Sequence, residues 1–229
     1  MDRKKSAFIM LYAIAVLIAS QINFSEILGA ENQSFTFFQF IAPIAGGFLG
    51  LAGIAAVFFA NLGGFLISGQ SLTIFSFGIP SLFAVYYFYK NSQSKLSQNS
   101  IAIATVPLVC MALFALHPVG SQVWYYSFYW LIPAGAMLLF PGRLLARSLG
   151  STFTAHAVGT IIFLYAIPTT PALWLALIPV VAFERGLFTL GIASSYIVAN
   201  TILEWASTKL DLSTLNINKN YSISSTKLY

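Results

Sequence analysis

The sequence predicts an all-α, polytopic membrane protein of about six to eight membrane segments, with N-terminus and C-terminus both cytoplasmic. Three observations carry this. Hydrophobic residues make up 58% of the chain and charged ones 7%, against ~25% charged in a soluble domain. Several apolar runs reach the ~20 residues that a helix needs to span a bilayer. The runs are continuous instead of alternating every second residue, which excludes a transmembrane barrel.

The chain divides into one transmembrane domain, residues 1–206, and a polar, unfolded cytoplasmic tail, residues 207–229. The formal charge of +5 is scattered over loops and termini, so it reads as a topology signal and not as a nucleic-acid surface. The single cysteine, Cys110, excludes an intrachain disulfide.

Residues 2–5 read Asp-Arg-Lys-Lys and precede the apolar run 7–22. This reads as an uncleaved first helix, whose start the positive-inside rule puts in the cytoplasm, the alternative being a signal peptide cleaved near residues 18–20. Loop 26–34 holds two acids and no Lys or Arg, which suits the outside. Residues 37–68 are too long for one upright helix and are broken by Pro43, Gly46, Gly47, Gly50 and Gly53. Ala42, Gly46 and Gly50 recur every fourth residue, as do Ala52, Ala56, Ala60 and Gly64. That spacing lets helices approach closely in lipid. A broken helix beside a cavity fits the same residues, with Asn61 as its polar contribution.

Further runs cover 72–89, 101–116, 122–140, 149–167 and 172–206, with basic loops at Lys90/Lys95 and Arg143/Arg147. The aromatic cluster at Trp124, Tyr125, Tyr126, Phe128, Tyr129 and Trp130 reads as an interfacial belt or as a stacking site. If all basic loops face the cytoplasm, residues 37–68 must cross twice or re-enter.

Glu184 and Arg185 stand together inside the last run, where ionisable groups cost ~2.5–3.5 kcal/mol each and are functional by default. With a turn at 168–171, Glu184 lies ~20 Å along one helix and His156 ~12 Å along its antiparallel neighbour. A His156–Glu184–Arg185 cluster follows, either as a solute or ion site or as a fastening between helices. There is no nucleotide loop, no His-Glu-x-x-His pair and no nucleophile elbow. No cofactor or metal is expected, and an enzyme is disfavoured.

The chain resembles the substrate-binding (S) component of an energy-coupling factor transporter. The resemblance rests on Ala15-x-x-x-Ala19 in the first helix, on the Gly/Pro-rich stretch 40–53, and on the basic start and size. It implies a plasma-membrane protein of six spans that captures a vitamin-like solute. Ala15 and Ala19 would dock a transmembrane coupling subunit that works with two ATPases.

The expected function is therefore a non-enzymatic transport component that binds a small solute at His156, Glu184 and Arg185, with Asn61 and Trp124 contributing. Arg185 would meet an anionic group. The alternatives are a structural or assembly subunit of a membrane complex and an ion- or proton-coupled carrier.

Overall fold

The computed structural model describes residues 3–26, 34–68, 78–92 and 98–223. Its architecture is helical, with one short antiparallel hairpin, β1 (Asn23–Glu26) and β2 (Ser34–Thr36). The helices are α1 (Arg3–Ala19), α2 (Phe38–Ile41), α3 (Ala45–Leu49), α4 (Ala52–Ser68), α5 (Ile79–Lys90), α6 (Gln98–Leu116), α7 (Ile132–Leu139), α8 (Leu144–Ala166) and α9 (Pro171–Ser207). A 3-10 helix, Gly120–Leu131, leads into α7.

The chain runs up and down the bundle. α1 rises to Ile22, whose carbonyl accepts from Phe37 N at 2.9 Å. From there α2 and α3 descend to Phe48, whose carbonyl meets Asn216 N of the tail at 3.0 Å. α4 climbs again to Asn61, which packs against Gly78 at the start of α5. α5 descends beside α8: its Pro80 touches Gly159, its Tyr87 touches Gly150 and its Phe88 carbonyl meets Arg147. α6 rises, the 3-10 helix and α7 fall, α8 rises and α9 falls. Residues 37–68 thus traverse the bundle twice, first as the broken pair α2–α3 and then as α4.

The reason is local. Pro43 lies in the turn between α2 and α3, and Gly50 adopts φ 61° between α3 and α4, a left-handed conformation that favours glycine. The other small residues bring backbones together. A Cβ on Gly46 would lie 2.2 Å from the Val85 carbonyl, and one on Gly53 would lie 2.6 Å from that of Ala45.

Two apolar clusters fill the interior. One joins α1 through α5 to the lower half of α9. The other joins α6, the 3-10 helix, α8 and the upper part of α9. α1 supplies Tyr12 and Val16 to the first cluster, and the Tyr12 hydroxyl donates to the Ile41 carbonyl. The first helix is therefore part of the packed bundle.

The tail differs from its expected unfolded state. Residues 208–223 fold back under the lower end, placing Leu215 in the first cluster with Leu212, Ile217 and Tyr221 against it. The fully buried Asn200 amide pairs with the Asn218 backbone in both directions, at 2.8 and 2.9 Å. The Tyr221 hydroxyl accepts from Leu144 N at 3.2 Å, which covers an open donor at the start of α8. A composition rich in Asn, Ser and Thr hid a regular supply of apolar contacts. Asn200→Ala is expected to cost about 2 kcal/mol, because it leaves buried backbone groups unpaired. Limited proteolysis should cleave residues 208–223 faster in that variant than in wild type.

Candidate functional site

α8 and α9 position the site. Pro171 opens α9 directly after the turn that ends α8, so the two helices form an antiparallel hairpin. α8 turns a polar strip inward: Arg147, Ser148, Ser151, Thr152, Thr154 and Thr160 are all buried. Ser151 Oγ donates to the Ala84 carbonyl at 2.8 Å, tying this strip to α5.

His156 lies on α8 among Tyr126, Trp130 and Phe153. Trp130 Nε1 donates to His156 Nδ1 at 3.2 Å, and His156 Nε2 faces the Tyr126 hydroxyl at 3.0 Å. An indole N–H can only donate, so Nδ1 carries a lone pair and the ring proton sits on Nε2. The neutral imidazole then donates to Tyr126 Oη and leaves the phenol proton for another acceptor. The imidazole is half-buried within this ring of aromatic side chains.

On α9, Arg185 Nη2 lies 3.4 Å from Glu184 Oε2, and its guanidinium sits 4.3 Å above the Phe188 ring. The side chains are 6% and 15% exposed, so Glu184 is the more accessible of the two. Adjacent residues on a helix diverge by about 100°, and the 3.4 Å separation shows both side chains bending back to meet. Arg185 is within electrostatic range of His156 and Tyr126. His156 bonds to Tyr126 and Trp130, and it positions the tyrosine instead of offering its own nitrogens.

The other expected residues fare differently. Asn61 lies on α4, with its amide against Gly78 and Nδ2 without a hydrogen-bond partner among the described residues. Trp124 is 51% exposed and packs edge-on to Phe128. It belongs to the outer surface, because the kink at Val123 and the 3-10 helix turn Tyr126 and Trp130 inward in its place. Ala19 is buried whereas Ala15 is exposed, so the two alanines do not make one docking face. α1 spends the Tyr12–Val16–Ala19 side on the core.

Arg147 is the functional-looking residue that the sequence concealed. It sits on the first turn of α8, fully buried, with its guanidinium 4.1 Å above Phe88 and 5.1 Å from the Tyr196 ring. Its neighbour Arg143 is exposed over Phe140. The available signal was the run of small polar residues that follows Arg147 along one helix face.

At the upper end, His117, Val119 and residues 164–169 line an open depression of about 320 Å³. His117 Nδ1 accepts from Val119 N at 3.2 Å, which fixes the turn. No group of His, Cys, Asp and Glu suited to a metal ion occurs among the described residues. Compared with protein families, with curated proteins and with solved structures, the chain matches none.

Proposed function

We propose that the chain is a multi-pass membrane protein that binds a small solute at the α8–α9 hairpin and is energised by partner subunits. The observation that carries this is the buried Glu184–Arg185 pair, close to the Tyr126–His156–Trp130 network. Around this polar interior the outer surface is apolar: Leu66, Ile67, Phe183, Leu190 and Ile202 are all well exposed. Among the described residues, α8 and α9 are the two helices long and apolar enough to cross a membrane, and only 28% of the α9 window is buried. A core helix of a soluble protein turns most of its surface inward, whereas lipid accepts an apolar exterior.

Lys90, Arg143 and Lys209 lie at one end of the bundle, the arrangement that the positive-inside rule asks of a cytoplasmic side. That end faces the cytoplasm, and the host is the cell membrane. Trp205, with Lys209 stacked at 4.6 Å, suits the membrane–water boundary. Arg185 receives an anionic group of the solute, Tyr126 donates its phenol proton, and Glu184 accepts from a solute donor. The S-component reading keeps its solute-binding half. Its docking half requires a surface other than Ala15 and Ala19.

One observation favours a structural subunit instead: both His156 nitrogens are engaged within the protein. Small molecules extracted from the purified protein and weighed by mass spectrometry separate the two readings. Wild type is expected to retain a solute that Glu184→Gln loses while eluting identically. Equal retention by both proteins would remove Glu184 from the site, and an empty wild type would favour the structural subunit.

A further inference from the structure

We infer that the start of α8 is a binding site for a phosphate group, formed by the N–H groups of its first turn and the Arg147 guanidinium, and that Tyr221 of the returning tail holds the place of that phosphate. This site does not depend on the Glu184–Arg185 pair. Arg147 lies nine residues before His156, ~14 Å of helix rise away, at the lower end of the bundle.

Arg147 needs an anion. It is 1% exposed, and no carboxylate among the described residues pairs with it. Its Nε reaches the Phe88 carbonyl at 3.4 Å, and Nη2 has no hydrogen-bond partner among the described residues. Cation–π contacts with Phe88 and Tyr196 offset part of the burial, but they leave the Nη2 donor unused. A buried charge without a charged partner is costly, and a buried donor without an acceptor is uncommon.

The guanidinium aims at an open helix end. Side chains on a helix lean toward its N-terminus, so Arg147 lies over the first turn of α8, which begins at Leu144. The N–H groups of that turn have no intrahelical acceptor. Arg143 at the cap position contributes no side-chain bond, and Leu144 N donates to the Tyr221 hydroxyl. A helix of 23 residues adds its dipole in the same sense. Open N–H groups, a positive helix end and an arginine fork together suit the oxygens of a phosphate.

Tyr221 fills this end weakly. Its hydroxyl accepts from Leu144 N at 3.2 Å and donates to the Gly142 carbonyl at 3.4 Å, lengths at or beyond the long limit of good hydrogen bonds. Its ring packs 5.9 Å from Tyr196, the same ring that the Arg147 guanidinium contacts, and Tyr221 is within electrostatic range of Arg147. The phenol serves Leu144 N and leaves Arg147 Nη2 unpaired, whereas a phosphate has oxygens for both. Asn91, at the end of α5, borders the site. Its Oδ1 accepts from Gly142 N at 3.3 Å, and its Nδ2 is a second buried donor without a partner among the described residues. Tail and phosphate therefore compete for one place.

The test reads the tail. In full-length, detergent-purified protein, proteolytic cleavage within residues 208–223 is timed as sodium phosphate replaces sodium chloride at constant ionic strength. Phosphate is expected to speed cleavage by about fivefold or more, because a ligand that takes the place of Tyr221 releases the tail. A general salt effect of phosphate has the opposite sign, since it favours burial. Tyr221→Phe removes the competing hydroxyl and should reach half-effect at roughly fivefold less phosphate. Arg147→Met should elute as folded protein, because it removes a buried charge that has no charged partner, and its cleavage should not respond to phosphate. If Arg147→Met does not fold, Arg147→Lys takes its place. Loss of the fork should then raise the half-effect concentration about tenfold. Protein in phosphatidylcholine nanodiscs, with or without phosphatidic acid and free of inorganic phosphate, separates the two sources. Faster cleavage with phosphatidic acid assigns the site to a lipid headgroup, and a response to free phosphate alone assigns it to a soluble anion. A wild-type tail cleaved alike in all these conditions overturns the site, as does an Arg147 variant that responds like wild type.

Discussion

Gly150→Ala is expected to destabilise the bundle strongly at its centre. A Cβ there would lie 2.1 Å from both Cζ and the hydroxyl of Tyr87. That ring is fully buried, and its hydroxyl donates to the Pro133 carbonyl at 2.6 Å. Tyr87 cannot step aside without breaking this bond, which ties α5 to α7. Overpacking at such a site costs about 3 kcal/mol, a fall of roughly 6–12 °C in melting temperature for a chain of this size. Gly135→Ala is the control, because nothing lies within 4 Å of its added Cβ. Equal melting of the two variants would show that the α5–α8 contact is not close.

Arg185→Met is expected to have the second large effect. It removes the guanidinium beside the Glu184 carboxylate, which is only 15% exposed. Breaking one side of a buried ion pair costs about 3–5 kcal/mol, whereas removing both charges costs much less. The double variant Arg185→Met with Glu184→Leu should therefore melt above the single one. Glu184→Gln keeps the shape of the acid and one acceptor oxygen beside Arg185 but removes the charge, so it should melt below wild type and above Arg185→Met. If the single and double variants melt together, the pair carries no coupling and Arg185 is held by other contacts.

The helical class, the central pair and the doubling back of residues 37–68 were legible in the sequence. Each rests on a strong physical constraint: apolar run length, the cost of buried charge, and the sidedness of basic loops. What was not legible depends on which way a side chain faces. Trp124 and Trp130 sit in one aromatic cluster, and only the irregular backbone at Val123 decides that one points outward and the other meets His156. Arg143 and Arg147 look alike four residues apart, yet one turn of helix separates solvent from core. The tail read as unfolded because Asn200, its main anchor, lies outside it on α9. The S-component docking pattern failed for a related reason. The spacing of Ala15 and Ala19 was right for one face, but α1 presents the neighbouring strip to its own core.

The returning tail has a consequence for how the protein is made. Translation delivers α1 to α9 in order, but the open start of α8 waits for Tyr221, encoded about 77 residues later. The start of α8 therefore stays uncovered in a growing chain until residue 221 has been added. A chain interrupted near Ser207 would contain α1 through α9 and still lack the segment that covers this end.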